Sequence, residues 1–117
     1  MSNHKREITI HRKALERIAC SPSKVGIKDD IVGVWIEGKL YDIRKGKRVL
    51  IAEPDVTFYT VRGGIIIVEY KNNGNGVEKA REQLETARVW YAKYTPTPLD
   101  QVRTMIIHGD EYPFLKR

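Results

Sequence analysis

The run Ile65-Ile66-Ile67-Val68, which leads directly into Glu69-Tyr70-Lys71, constrains this chain more than any other stretch. A short apolar run bounded by a turn signal reads as a fully buried strand. Arg62-Gly63-Gly64 before it reads as a tight turn, and Val56 to Val61, rich in β-branched and aromatic residues, as the partner arm of a hairpin. Glu53-Pro54-Asp55 opens that arm. Folding the chain about the turn sets Asp55 opposite the neighbourhood of Glu69 and Tyr70, where cross-strand Cβ atoms lie about 5 Å apart. Strand alternation sends Glu69 and Lys71 to one face. Two carboxylates and an ammonium are thereby expected at one end of a buried hairpin.

Carboxylates at that spacing repel each other, and burial raises the cost unless a cation joins them. A hard divalent ion takes one or two carboxylates together with waters and substrate phosphates. The sequence therefore offers Asp55 and Glu69 as ligands for Mg²⁺, with Mn²⁺ as a substitute. The plain alternative is a hairpin rim of solvated charges, with Glu69 and Lys71 pairing for less than about 1 kcal/mol. The apolar run into Glu69, with Pro54-Asp55 at hairpin spacing before it, favours the metal reading.

The rest of the chain fits around this hairpin. Glu7 to Cys20 reads as a helix, with Glu7, His11, Ala14, Leu15 and Ile18 on one stripe and a start as late as Thr9 if that residue caps it. Cys20, at the end of the stripe, is expected to be a core thiol. Ile31 to Glu37, Leu40 to Ile43 and Arg48 to Ala52 read as strands of an antiparallel meander, with Trp35 and Tyr41 as core rather than as stacking groups for bases. Lys39, Arg44, Lys45, Lys47 and Arg48 gather on its turns, either as a solvated rim or as phosphate contacts. Val77 to Tyr94 carries an apolar stripe through Ala80, Leu84, Ala87 and Tyr91, and reads as a long helix with Gln83 beside the stripe. Thr95-Pro96-Thr97-Pro98 stops it. Gln101 to His108 then reads as a strand, parallel to an earlier one after the helical crossover. His108 ends it without a partner that would make a metal-ligand pattern.

Composition bounds the classes. The 117 residues are expected to form one domain spanning 1–117, and 41% hydrophobic with 31% charged residues suits a globular chain. No apolar run approaches membrane-spanning length and no signal-peptide core is present, so an intracellular, cytoplasmic protein without a membrane partner is expected. A single cysteine excludes an internal disulfide and a zinc–thiolate cluster. The excess of 21 Lys and Arg over 15 Asp and Glu, a net charge of +6, suits a polyanionic partner.

Pro54-Asp55 followed by Glu69-Tyr70-Lys71, with an apolar strand into the glutamate, a helix before the hairpin and a helix and strand after it, resembles the PD-(D/E)XK nuclease superfamily. The resemblance implies an α/β fold with a restriction-endonuclease-like αβββαβ core, a three-layer arrangement in which helices flank a mixed sheet. It implies Asp55, Glu69 and Lys71 as catalytic residues, with the metal on Asp55, Glu69 and the Tyr70 backbone carbonyl. Relatives often add an acid from the first helix. Glu7 lies on the stripe and Glu16 nearly opposite, so Glu7 is the candidate, unless it is simply a helix-start charge favoured by the dipole. Exonuclease branches carry a Gln with a Tyr four residues later. Gln83 is present but position 87 is Ala, which argues against that branch.

Small archaeal and viral Holliday-junction resolvases are the most similar branch, being short, basic and little decorated. They imply a structure-specific, Mg²⁺-dependent DNA endonuclease acting on branched or duplex DNA as a homodimer, with Lys39, Lys45, Lys47, Arg48 and Gln83 as candidate nucleic-acid contacts. Two alternatives remain open: a nucleic-acid-binding module of the same fold without catalysis, and an RNA-directed nuclease.

Overall fold

The computed structural model describes residues 3–116, with side chains from Thr9 onward. The first helix, α1 (Asn3–Cys20), starts earlier than a cap at Thr9 would place it. The β-branched Ile8-Thr9-Ile10 segment lies inside the helix, since each such residue costs only a fraction of a kcal/mol of propensity. Ala14, Leu15 and Ile18 are fully buried, as the stripe predicts. The helix ends at Ser21-Pro22, where the Ser21 N–H still reaches the Arg17 carbonyl at 3.0 Å and Pro22 has no N–H to continue the ladder.

A four-stranded sheet forms the middle layer, in the order β1 (Ile31–Ile36), β4 (Val56–Thr60), β5 (Ile65–Lys71), β6 (Val102–His108). β5 pairs antiparallel with β4 and parallel with β6, so the sheet is mixed. Residues Ile65 to Tyr70 are all buried because both faces of β5 are covered. Ile66, Val68 and Tyr70 pack toward Ala14, Leu15 and Ile18 of α1. Ile65 and Ile67 pack on the other face against Leu84, Ala87 and Tyr91 of α2 (Val77–Tyr94). The result is the expected three-layer α/β arrangement, a mixed sheet between helices. Arg88 of α2 bends to the start of β6. Its guanidinium donates to the carbonyls of Val102 at 2.9 Å and Leu99 at 3.0 Å.

The middle of the chain differs from the predicted meander. β1 pairs directly with β4, Ile36 opposite Val56 and Trp35 opposite Thr57. β2 (Leu40–Arg44) and β3 (Lys47–Ala52) pair only with each other, as a two-stranded ribbon inserted between β1 and β4. Two local features turn the chain out of the sheet. Glu37 adopts a left-handed φ of 53°, and Gly38 lies under the Trp35 indole, where a Cβ would stand 2.3 Å from the ring. The ribbon then leans on α2: Leu40 and Ala52 enter the α2-side core, and Trp90 Nε1 donates to the Tyr41 carbonyl at 2.7 Å. Lys45 and Gly46, at φ 52° and 76°, make its two-residue turn.

Three residues expected in the core are not there, Tyr41, Cys20 and Trp35. Tyr41 is half-buried on the ribbon face turned away from α2, under the Arg48 guanidinium. Cys20 is exposed, because the last turn of α1 rotates it off the stripe that ends at Ile18. Trp35 is 45% exposed, because β1 is an edge strand and α2 does not extend over it.

Candidate functional site

Asp55 follows the buried Pro54 and precedes β4, so its side chain lies at the open end of the sheet where β4 and β5 part. Its backbone is held on both sides. The Glu37 N–H donates to the Asp55 carbonyl at 2.9 Å, and the Asp55 N–H donates to Glu69 Oε1 at 3.3 Å. Its carboxylate is held as well: Oδ2 accepts the Tyr70 N–H at 2.7 Å, and Oδ1 lies 3.4 Å from His11 Nε2. The predicted meeting of Asp55 with Glu69 and Tyr70 is therefore present.

Glu69 is only 7% exposed. Burial, then the negative charge and the side-chain hydrogen bond of Asp55, push its carboxyl pKa up to about 8, against the opposing Asp55 N–H and the Lys71 charge. Near neutral pH the Glu69 carboxyl accordingly keeps a proton and hydrogen-bonds to Asp55. His11 is held above the usual imidazole range, chiefly by its hydrogen bond to Asp55, with burial opposing and the charges of Asp55, Glu37 and Glu69 assisting.

This donor set suits a hard divalent cation. Two carboxylates that must share a proton when no cation is bound can share a cation in its place. On a strand the N–H and C=O of one residue project to the same side. Because the Tyr70 N–H points at Asp55, the Tyr70 carbonyl opens on the carboxylate side too. Among the described residues no cluster of three or more His, Cys, Asp or Glu side chains is assembled as a ready cage. The set is two carboxylates and a carbonyl, which leaves coordination positions for water and phosphate, as Mg²⁺ prefers.

Lys71 closes β5, half-buried and on the strand face of Glu69. Its ammonium has no ion-pair partner among the described residues and instead lies beside Gly76, the N-cap of α2, where a Cβ would stand 3.6 Å from Nζ. Its carbonyl accepts the Gly109 N–H at 2.8 Å, and His108 stands next to it in the parallel register.

The other predicted residues are not drawn in. Glu7 falls in the part of α1 whose side chains lie outside the described residues. Glu16 is exposed and pairs with Arg12, in keeping with its place away from the stripe. Lys39, Lys45, Lys47 and Arg48 are exposed on or beside the ribbon, and Gln83 is exposed on α2. The sequence reading missed His11 as a site residue, although it stood on the correct stripe. The signal was a polar ring on the sheet-facing side of a helix, four residues before Leu15. What made it a site residue, the position of Asp55 across the chain, was not local. Tyr70 supports the imidazole from the sheet, with ring centroids 5.8 Å apart.

No protein-family model matches the chain, and no curated protein matches it. Among solved structures it is similar to the crystal structure of a repair endonuclease from Pyrococcus abyssi, with 15% sequence identity and a TM-score of 0.49. That alignment covers 82% of this chain and 36% of the other, so the chain spans little more than a third of that protein's length. A superposition at this score assigns neither a family nor a chemistry, and the case for function rests on the residues of the site.

Proposed function

We propose that this chain is a metal-dependent endonuclease that hydrolyses DNA phosphodiester bonds, of the PD-(D/E)XK type. The observation that carries this reading is the buried Glu69 carboxyl set against Asp55 at the end of β5, with the Lys71 ammonium, which makes no ion pair among the described residues, following on the same strand face. A structural carboxylate pair would be served better by an arginine or lysine in contact with it. Here the pair is met by the His11 imidazole on Asp55, while the Lys71 ammonium makes no ion pair among the described residues and lies beside Gly76.

When bound, Mg²⁺ would lower the pKa of a water and neutralise charge on the phosphate. Asp55 and Glu69 would hold it, with the Tyr70 carbonyl on the same side. Glu69 would give up its proton as it took up the cation. The Tyr70 N–H fixes the Asp55 carboxylate through Oδ2, and His11 orients the other oxygen. Lys71, with no ion-pair partner among the described residues, would be available to a non-bridging phosphate oxygen or to the attacking hydroxide, where it would stabilise charge as it develops. The finer reading is a structure-specific enzyme acting on branched DNA, with a symmetric dimer presenting two sites to a four-way junction.

A panel of labelled substrates tests the proposal: linear duplex, single strand, flap, four-way junction and RNA hairpin, each with Mg²⁺ or EDTA. Magnesium-dependent cleavage of a DNA member, abolished in Glu69→Gln, is the expected result. Binding without cleavage of any member would leave a nucleic-acid-binding module. Preferential cutting of the RNA hairpin would redirect the reading to RNA.

A further inference from the structure

The β2–β3 ribbon takes no part in the carboxylate site, yet it is densely basic. Lys39, Arg44, Lys45, Lys47 and Arg48 lie on it or at its root, against two acids, Asp42 on β2 and Glu53 at the root. Asp42 is already engaged, by the Tyr94 hydroxyl, by Arg44 at 3.5 Å and by Lys93 at 3.7 Å. Among the described residues the tip cations Lys45 and Lys47 make no ion pair.

The two faces of the ribbon differ. One, with Asp42 and Ile51, packs on α2. The other presents Tyr41, Ile43, Arg48 and Leu50, which the register places together: Tyr41 opposite Leu50 and Ile43 opposite Arg48. Ile43 is 59% and Leu50 48% exposed, while the Arg48 guanidinium lies 4.2 Å from the centre of the Tyr41 ring. Two large aliphatic side chains on a free face beside unneutralised cations are unusual for a solvated hairpin, which normally carries polar residues there.

We infer that the β2–β3 ribbon is a groove-inserting arm for duplex DNA, its Lys45–Lys47 tip on phosphates and its Ile43–Leu50 face against sugars and base edges. The major groove of B-form DNA admits a two-stranded ribbon. The major groove of A-form RNA is too deep and narrow to be read in this way. Apolar side chains on such elements contact bases or wedge between them. A second copy of this chain is a poorer occupant of this face than DNA, since two basic ribbons brought together repel where a phosphate backbone is attracted, which leaves a dimer through another surface open. The inference rests on the DNA-directed reading above and adds a geometry to it. β3 ends at Ala52, in the α2-side core, and Glu53-Pro54 joins it to Asp55. Strands of this length span about 17–20 Å, so the arm would hold the duplex at a set reach from the carboxylates.

The test is fluorescence anisotropy with duplex DNA, duplex RNA of the same sequence and a salt series, in EDTA so that nothing is cut. The double variant Lys45→Ala/Lys47→Ala should lower the slope of log K against log salt by about 2, since each phosphate contact contributes about 0.9. Ile43→Ser/Leu50→Ser should weaken DNA binding several-fold with the slope unchanged, and duplex RNA should bind more weakly than DNA throughout. Both variants should retain wild-type circular dichroism and Mn²⁺ binding. An unchanged slope and affinity in the lysine variant would overturn the arm, as would equal affinity for the two duplexes. So would a serine variant that binds DNA normally but converts a dimeric protein to a monomer, because the face would then belong to a second copy. Failure of the nuclease reading is visible separately: no Mn²⁺ binding and no cleavage, while the ribbon variants still lose DNA affinity.

Discussion

Asp55 and Glu69 are tied by reciprocal use of backbone and side chain across the end of the β4–β5 hairpin. The Asp55 N–H donates to the Glu69 carboxyl at 3.3 Å, and the Asp55 carboxylate accepts the N–H of Tyr70, the residue after Glu69, at 2.7 Å. The pair is thereby positioned before any cation arrives, and the negative charge it would carry is reduced by the proton on Glu69.

Metal binding should therefore be coupled to proton release. Calorimetry with Mn²⁺ should show an enthalpy that depends on the buffer's ionisation heat below pH 8, and an affinity that rises with pH until Glu69 is ionised near 8. Asp55→Asn and Glu69→Gln should each weaken binding by about tenfold or more, within the range seen when ligand sets are disturbed, whereas Lys71→Ala should retain it. Equal affinity in all four proteins would show that the pair does not bind metal.

Without metal, stability should fall as pH rises across the neutral range. Glu69 has its ordinary value of 4.5 when unfolded and about 8 when folded, so the native state holds the extra proton between those values. The stabilisation is complete below 4.5 and is lost as pH rises through 8. His11, also raised on folding, adds a slope of the same sign that begins at 6.5. Urea denaturation in EDTA from pH 5 to 9 should show this decline, and Glu69→Gln, which mimics the protonated acid, should flatten it. A rise in stability over the same range would be incompatible with a protonated Glu69.

Cleavage should collapse in Lys71→Ala, by about a hundredfold or more if the ammonium stabilises developing charge. Lys71→Arg should not restore it, because a planar guanidinium cannot reproduce the compact ammonium beside Gly76. DNA affinity should change little in either variant. Wild-type cutting of any substrate by Lys71→Ala would sink the mechanism.

Trp90→Phe should loosen the ribbon and leave the site intact. It removes the indole donor from the Tyr41 carbonyl, a loss of about 1–3 kcal/mol if that acceptor stays buried and unpaired. Thermal denaturation should show the lower stability, and hydrogen exchange should show faster exchange confined to residues 40–52. Unaltered exchange there would mean that Leu40 and Ala52 alone anchor the ribbon.

The sheet's central strand, both long helices and the meeting of Asp55 with Glu69 were legible in the sequence, because each rests on a local rule. An unbroken β-branched run marks a strand covered on both faces, as β5 is. The period of Ala80, Leu84, Ala87 and Tyr91 marks α2 over its full extent. A hairpin joined by a tight turn has one register, which the spacing of Asp55 and Glu69 already contains.

Tertiary structure decided the rest. The strands before Asp55 have the same local character whether they form a meander or a separate ribbon. What separates them is that Gly38 lies beneath Trp35 and that Trp90, far along the chain, captures the Tyr41 carbonyl. Likewise the helical period placed His11 on the sheet-facing stripe, but whether that face meets a carboxylate depends on how α1 lies across the sheet. The proton on Glu69 belongs to the same class: residue type supplies a carboxyl, while its burial and its distance from Asp55, set by the assembled layers, decide its charge.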